Sequence, residues 1–128
     1  MTAILEHTNL TVSDPKATAA WLTQVFGWTI RWEGPAISGG YTVHIGSGDS
    51  YLALYRPVDA PTPFDQTSSY AAVGGLNHVG LVVDDLDATE ALVRKAGFEP
   101  VNHADYEPGR RFYFRDTDGI EFEVVSYS

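Results

Sequence analysis

Four histidines and a closely spaced pair of glutamates, Glu121 and Glu123, are the side chains best suited here to ligate a metal ion or move a proton. Cysteine is absent, which excludes disulfides, thiolate metal sites and cysteine nucleophiles and leaves thiol usage silent about the compartment. Two of the histidines occupy matched places. His7 opens the run HTNLTVSD, and His78 opens HVGLVVDD 71 residues later. Continuing the alignment pairs Ala17, Thr18 and Ala20 with Ala88, Thr89 and Ala91, and Gly27-Trp28 with Gly97-Phe98 after one deletion. The sequence is two copies of one module. A solitary histidine in a strand is ordinarily a satisfied structural residue, whereas two at equivalent places of a repeat ask for a shared role.

Each copy predicts the same elements around its histidine. A strand comes first, over residues 4–12 and 77–83, alternating or continuously β-branched. A helix follows, capped by Asp14 before Pro15 and stopped by Gly27, then capped by Asp85 and stopped by Gly97. The stripes Ala17, Ala20, Trp21, Val25 and Ala88, Ala91, Leu92, Ala96 are the expected faces toward a sheet. Three strands complete each module, over 29–33, 41–46 and 50–55, then 99–103, 111–115 and 120–126. The expected organisation is a single domain over 1–128, with module one at 1–55, a linker at 56–75 and module two at 76–128. The linker holds proline and glycine without periodicity.

Composition narrows the partners. Hydrophobic residues at 44% and charged residues at 20% describe a chain that folds, and 128 residues suffice for one core. A net charge of −9 repels nucleic acid and anionic membranes at long range. There is no apolar run of membrane-spanning length and no signal-peptide pattern at the start, so the expected location is cytoplasmic and the expected partner a small molecule.

A twofold βαβββ repeat with a histidine opening each first strand, and Asp116-Thr117-Asp118-Gly119 before Ile120-Glu121-Phe122-Glu123, resembles the vicinal oxygen chelate superfamily. That superfamily includes glyoxalase I, bleomycin- and fosfomycin-resistance proteins and extradiol dioxygenases. The resemblance implies an α+β fold in which the sheets of two modules curl around a shared cavity. It implies a divalent metal held by the first and last strands of both modules, which here places ligands at His7, His78 and Glu123 and leaves Ala53 at the fourth position. Two imidazoles and one carboxylate suit iron or manganese best, with zinc or nickel as alternatives. A homodimer is also implied, its modules paired within one chain or exchanged between two.

Strand alternation adds a reading of the faces. A three-residue turn at 117–119 pairs Asp116 with Ile120 and sets Tyr113 opposite Glu123, turning Arg111, Tyr113, Arg115, Glu121 and Glu123 toward the cavity. Glu121 is the alternative ligand should the hairpin slip, though a pairing with Arg115 near the rim is the simpler expectation. Module one, read with the same turn, places Tyr41, Val43, Ile45, Tyr51, Ala53 and Tyr55 inside, beside Asn9 and His7. It sends His44 to the helix side, opposite Leu52, as a hydrogen-bonded residue without a ligand role. His103 and Tyr106 fall in a loop over 103–110.

Three chemistries compete. Glyoxalase-like proton shuffling uses a glutamate from each module in the family, and Ala53 carries no proton. Oxygen activation needs only the three ligands and open positions, so dioxygenase-like chemistry is the better match, with Tyr113 and Tyr55 as candidate catalytic phenols. The substrate expected is small, oxygen-chelating and partly apolar or aromatic. Fosfomycin-type thiol transfer lacks its basic pocket, for which only Arg111 and Arg115 are near. The alternative outside catalysis is a metal-free binding protein of the bleomycin-resistance type, favoured by acidity and aromatic walls.

Overall fold

In the computed structural model of the protein, residues 1–64 and 66–128 are described, with 66–68 as backbone alone, so residue 65 of the expected linker lies outside the described residues. The chain divides into two units, Met1–Thr62 and Pro63–Ser128. The division falls inside the expected linker.

Unit one contains β1 (His7–Thr11), α1 (Pro15–Phe26), β2 (Thr29–Pro35), β3 (Tyr41–Ser47) and β4 (Ser50–Arg56), and its sheet is ordered β1-β4-β3-β2. Unit two repeats this with β5 (Val79–Val82), α2 (Leu86–Lys95), β6 (Val101–Tyr106), β7 (Gly109–Arg115) and β8 (Glu121–Ser126), ordered β5-β8-β7-β6. In both, the first strand runs parallel to the last and the remaining pairs are antiparallel, so each sheet is mixed. Among the described residues no helix is long and apolar enough to cross a membrane.

The helix ends follow from their capping residues. Asp14 accepts hydrogen bonds from the backbone N–H groups of Lys16 and Ala17, and Gly27 closes α1 at φ 71°. Asp85 caps α2 through the N–H of Ala88. The buried faces differ from the expected stripes. Thr18, Ala19, Leu22 and Val25 are buried on α1, and Leu86, Thr89 and Val93 on α2, while Ala17, Ala20, Ala88, Ala91 and Leu92 are exposed. The larger Leu and Val side chains recover more apolar area than the alanines, and Thr89 can be buried because its hydroxyl donates to Asp85 O at 2.9 Å.

Each core lies between helix and sheet. Unit one buries Val43, Ile45, Leu52 and Leu54 beneath α1, and unit two buries Phe112, Phe114, Phe122 and Val124 beneath α2. Phe114 stacks between Phe98 and Phe122, with ring centroids 5.8 and 5.3 Å away.

Two hairpins decide what the opposite faces display. Asp116 N–H donates to Ile120 O at 3.0 Å and Tyr113 pairs with Glu123, which is the expected three-residue turn. The β3–β4 turn is shorter, since Ser47 pairs with Ser50 around Gly48-Asp49, and Gly48 takes φ 55° at the first central position. A one-residue change of register reverses the faces of one strand against the other. His44 therefore pairs with Ala53, on the face of Asn9, and Val43 and Ile45 turn into the core. This corrects the placement of His44, Tyr41, Val43 and Ile45. Tyr41 pairs with Arg56 on the side away from His7 and donates to Glu33, which also pairs with Lys16.

The β6–β7 connection is also tighter than expected. Tyr106 pairs with Gly109, so no loop extends over 103–110. His103 lies within β6, on the helix side, with Nε2 2.9 Å from Glu90 Oε1.

Candidate functional site

In unit two, parallel pairing of β5 with β8 sets Gly80 beside Glu123, and β7 brings Tyr113 and Arg115 opposite Glu123 and Glu121. The residues on this face form one polar network around His78, which immediately precedes β5. The Nε2 atom of His78 lies 3.4 Å from Glu123 Oε1, and its Nδ1 atom lies 3.4 Å from Glu121 Oε2. Two carboxylates thus approach opposite edges of one ring. Tyr70 contacts both His78 Nδ1, at 3.1 Å, and the Glu121 carboxylate, to which it donates a short hydrogen bond. Arg115 completes the Glu121 environment at 3.0 Å, the pairing expected from sequence.

Glu123 is held differently. Its Oε2 accepts from the Tyr113 hydroxyl at 2.7 Å and from Arg111 Nη1 at 3.1 Å. Burial raises its pKa, but the two donors together with His78 outweigh burial and hold the carboxyl below its ordinary range. The same bond pushes the Tyr113 phenol up to about 12, and the bond to Glu121 does the same for Tyr70, so both remain protonated donors at neutral pH. A cavity of about 430 Å³ adjoins the network, lined in part by Val101, Asn102, Tyr113, Arg115 and Glu121.

In unit one, His7 pairs with Tyr51 and Asn9 with Ala53, so Ala53 stands where unit two has Glu123, and Tyr51 where it has Glu121. His44 corresponds in turn to Tyr113. Trp32, His44, Tyr51 and His7 form a ladder of rings across all four strands, with successive centroids 5.2, 4.6 and 4.9 Å apart. Desolvation, aided by the charges of His7 and Arg31, holds the His44 ring below its ordinary pKa. His7 Nδ1 lies 2.8 Å from Glu6 Oε1, which leaves Nε2 without that partner. Both repeat histidines therefore engage a carboxylate through Nδ1.

Tyr55 is not brought to His7. It pairs with Thr11, four residues along β4 from Tyr51, roughly 13 Å at the rise of a strand. Its ring adjoins Gly40, where a Cβ would come within 2.8 Å of it. The sequence patterns do not point to Tyr70 or Trp32, or to His44 on the face of Asn9. Tyr70 sits on a short 3-10 helix, Gln66–Ala71, in a segment without periodicity. The Gly48-Asp49 pair was the available signal for His44, because it is a two-residue hairpin turn in its own right.

Among the described residues, no group of three or more His, Asp or Glu gathers where a metal ion could sit. Within unit two the reason is geometric, since Glu121 and Glu123 address different nitrogens of His78.

Several solved structures share the fold. A glyoxylase/bleomycin resistance protein/dioxygenase domain from Frankia sp. EAN1pec is 24% identical with a TM-score of 0.80, each chain covered to 98%. TnmS3, an antibiotic binding protein from Streptomyces sp. CB03234, is 21% identical with a TM-score of 0.74, covering 99% of this chain and 98% of that one. A mutant of the fosfomycin resistance protein FosX from Listeria monocytogenes, complexed with Mn(II) and a dihydroxypropylphosphonic acid, is 19% identical with a TM-score of 0.72. That likeness covers 98% of this chain and 93% of the other. No curated protein matches the sequence. The family model described as Glyoxalase/Bleomycin resistance protein/Dioxygenase superfamily matches residues 4–124, and with both modules folded as βαβββ units, the chain belongs to that superfamily.

Proposed function

We propose that the protein is a metal-dependent enzyme acting on a small, oxygen-chelating, partly aromatic molecule, with His7, His78 and Glu123 as the metal ligands and the working form a homodimer. The observation that carries this reading is the approach of His78 Nε2 to Glu123 Oε1 at 3.4 Å. Two donors bound at roughly 2.1 Å to one ion, at angles between octahedral and tetrahedral, lie about 3.0 to 3.4 Å apart, so this pair fits a shared ion. Glu121 and Tyr70 engage the other nitrogen of His78, which is how a ligating imidazole is ordinarily oriented.

When bound, the ion supplies Lewis-acid polarisation and open coordination positions. The protein's own groups divide the remaining work. Tyr113, protonated at neutral pH, is a hydrogen-bond donor beside Glu123, and Arg111 keeps that carboxylate ionised. In unit one, Ala53 offers no second carboxylate for glyoxalase-type proton transfer, which favours dioxygenase-like chemistry over a lyase. His44, opposite Ala53 and held neutral, is the proton acceptor available on that face.

The test is elemental analysis of protein purified without added metal or chelator, beside a His78→Ala control. Stoichiometric iron or manganese, lost in the control, is expected, and iron favours oxygen chemistry. Zinc or nickel would turn the reading toward isomerase-like chemistry. Metal-free protein that also resists reconstitution with divalent ions would overturn it. One observation favours a second reading in that event. The ladder from Trp32 to His7, with Trp32 half-exposed, suits stacking of a flat ligand without metal, a binding role like that named for the antibiotic binding protein TnmS3 but with the mode of binding argued from these rings alone.

A further inference from the structure

Arg111 is the arginine of unit two whose unpartnered donors are buried, among the described residues. Its Nη1 donates to Glu123 Oε2 at 3.1 Å, but its Nε and Nη2 atoms are buried and have no hydrogen-bond partner among the described residues. Buried guanidinium donors without acceptors are costly, and a fold retains them where an acceptor arrives from outside. The neighbouring arginines of β7 differ in exposure: Arg110, paired with Asp87, and Arg115, bonded to Gly119 O and Glu121, keep about half of their side chains open to water, which can satisfy their remaining donors.

The two vacant atoms form one edge of the guanidinium plane. Nε–H and the adjacent Nη2–H point the same way, and their separation matches the two oxygens of a carboxylate in a planar, bidentate pair. Glu123, on Nη1, occupies a different edge and leaves this one open. The guanidinium lies over the ring of Tyr106, with Arg111 Cζ 4.8 Å from the ring centroid. Tyr106 is 59% exposed and pairs with Gly109 at the β6–β7 turn, so it is the neighbour most easily displaced. The net charge of −9 disfavours anions in general, and a site that accepts one must do so through a local, geometrically matched donor pair.

We infer that the Nε–Nη2 edge of Arg111 is a carboxylate-binding site, and that the molecule taken by this protein carries a carboxylate besides its chelating oxygens. The chelating oxygens rest on the metal reading above, while the Arg111 site stands without it. Arg111 also bonds the proposed ligand Glu123, so a carboxylate held there would fix the distance and direction of the rest of the molecule from that ligand.

Two measurements test this separately. In metal-free protein, benzoate is titrated against the Arg111 Nε–H resonance, assigned from its absence in Arg111→Lys. A saturable downfield shift in the native protein is expected. An unmoved resonance at high millimolar benzoate means that water satisfies the edge and overturns the inference, and a stronger response to methylphosphonate than to benzoate reassigns the edge to tetrahedral oxyanions and also overturns it. In Mn(II)-loaded protein, 3,4-dihydroxybenzoate should bind at least tenfold more tightly than catechol by calorimetry, and Arg111→Lys should reduce that ratio below threefold; the ratio is the readout because Arg111 also bonds Glu123, so both affinities can move with the metal site. Equal affinities in the native protein would overturn the inference. Failure to load Mn(II) with the benzoate response intact would sink the metal reading alone.

Discussion

His78 and Glu123 meet through Nε2 and Oε1 at 3.4 Å, while the opposite nitrogen of the same ring is engaged by Glu121 and Tyr70. On the proposed metal reading, this division of one imidazole between two carboxylates makes Glu123 the ligand and Glu121 its orienting neighbour, and it ranks the two glutamates. Replacing a first ligand removes a coordinate bond, whereas replacing an orienting partner costs about 10- to 100-fold in affinity. Glu123→Gln should therefore weaken Mn(II) binding by more than about 100-fold and Glu121→Gln by about tenfold, read by metal titration. The reverse order would make Glu121 the ligand.

Acid stability should report on Glu123. Its folded pKa lies below the ordinary 4.5, so its contribution is fully present above 4.5 and is lost as pH falls through the folded value. Tyr113→Phe removes one of the donors that depress it. Urea denaturation between pH 7 and pH 3 should show the variant about 2 kcal/mol less stable at neutral pH, with the difference shrinking toward the acid end.

His44 offers a second titration with the same sign. Its depressed pKa means that the fold favours the neutral ring, and the associated stability is lost as pH falls below the ordinary 6.5. Its imidazole resonances, followed by NMR, should titrate below 6.5. A midpoint above that value would mean that a carboxylate faces the ring.

The turn that sets the Glu121 and Glu123 register depends on Asp116. Its Oδ1 accepts from the N–H groups of Asp118 and Ile120, both at 2.9 Å. Asp116→Ala should cost about 2 kcal/mol in chemical denaturation and weaken metal binding without touching a ligand. Asp116→Asn, which keeps the acceptor oxygen, should recover most of both.

The aromatic core of unit two predicts a larger loss. Phe114 is fully buried between Phe98 and Phe122. Phe114→Ala should destabilise by about 3–5 kcal/mol, measured as a lower urea midpoint, whereas the exposed Leu92→Ala should cost little.

Much of this architecture was legible because it is written locally. The caps at Asp14 and Asp85, the stops at Gly27 and Gly97, and the turn at 117–119 are each encoded within a few residues, and the structure places them as expected. What escaped depends on comparisons that local patterns do not make. The helix faces are not legible from spacing alone, because burial follows apolar area and the leucines and valines outweigh the alanines. Tyr70 comes from a segment with no periodicity, and its link to His78 and Glu121 exists only once the chain is folded. The side taken by His44 depends on a turn one residue shorter than its counterpart in the other module.

That last difference reaches beyond residue placement. The Gly48-Asp49 turn has two central residues and its counterpart at 117–119 has three, so the duplicated halves diverge by a single codon at a surface loop. Through strand pleating, that codon determines whether a histidine or a run of aliphatic side chains looks out from the sheet. Deletions at such a loop are tolerated far more readily than changes inside a core. A one-residue change at such a turn exchanges the two faces of a whole strand at once, so a new outer wall comes only together with a new set of buried side chains.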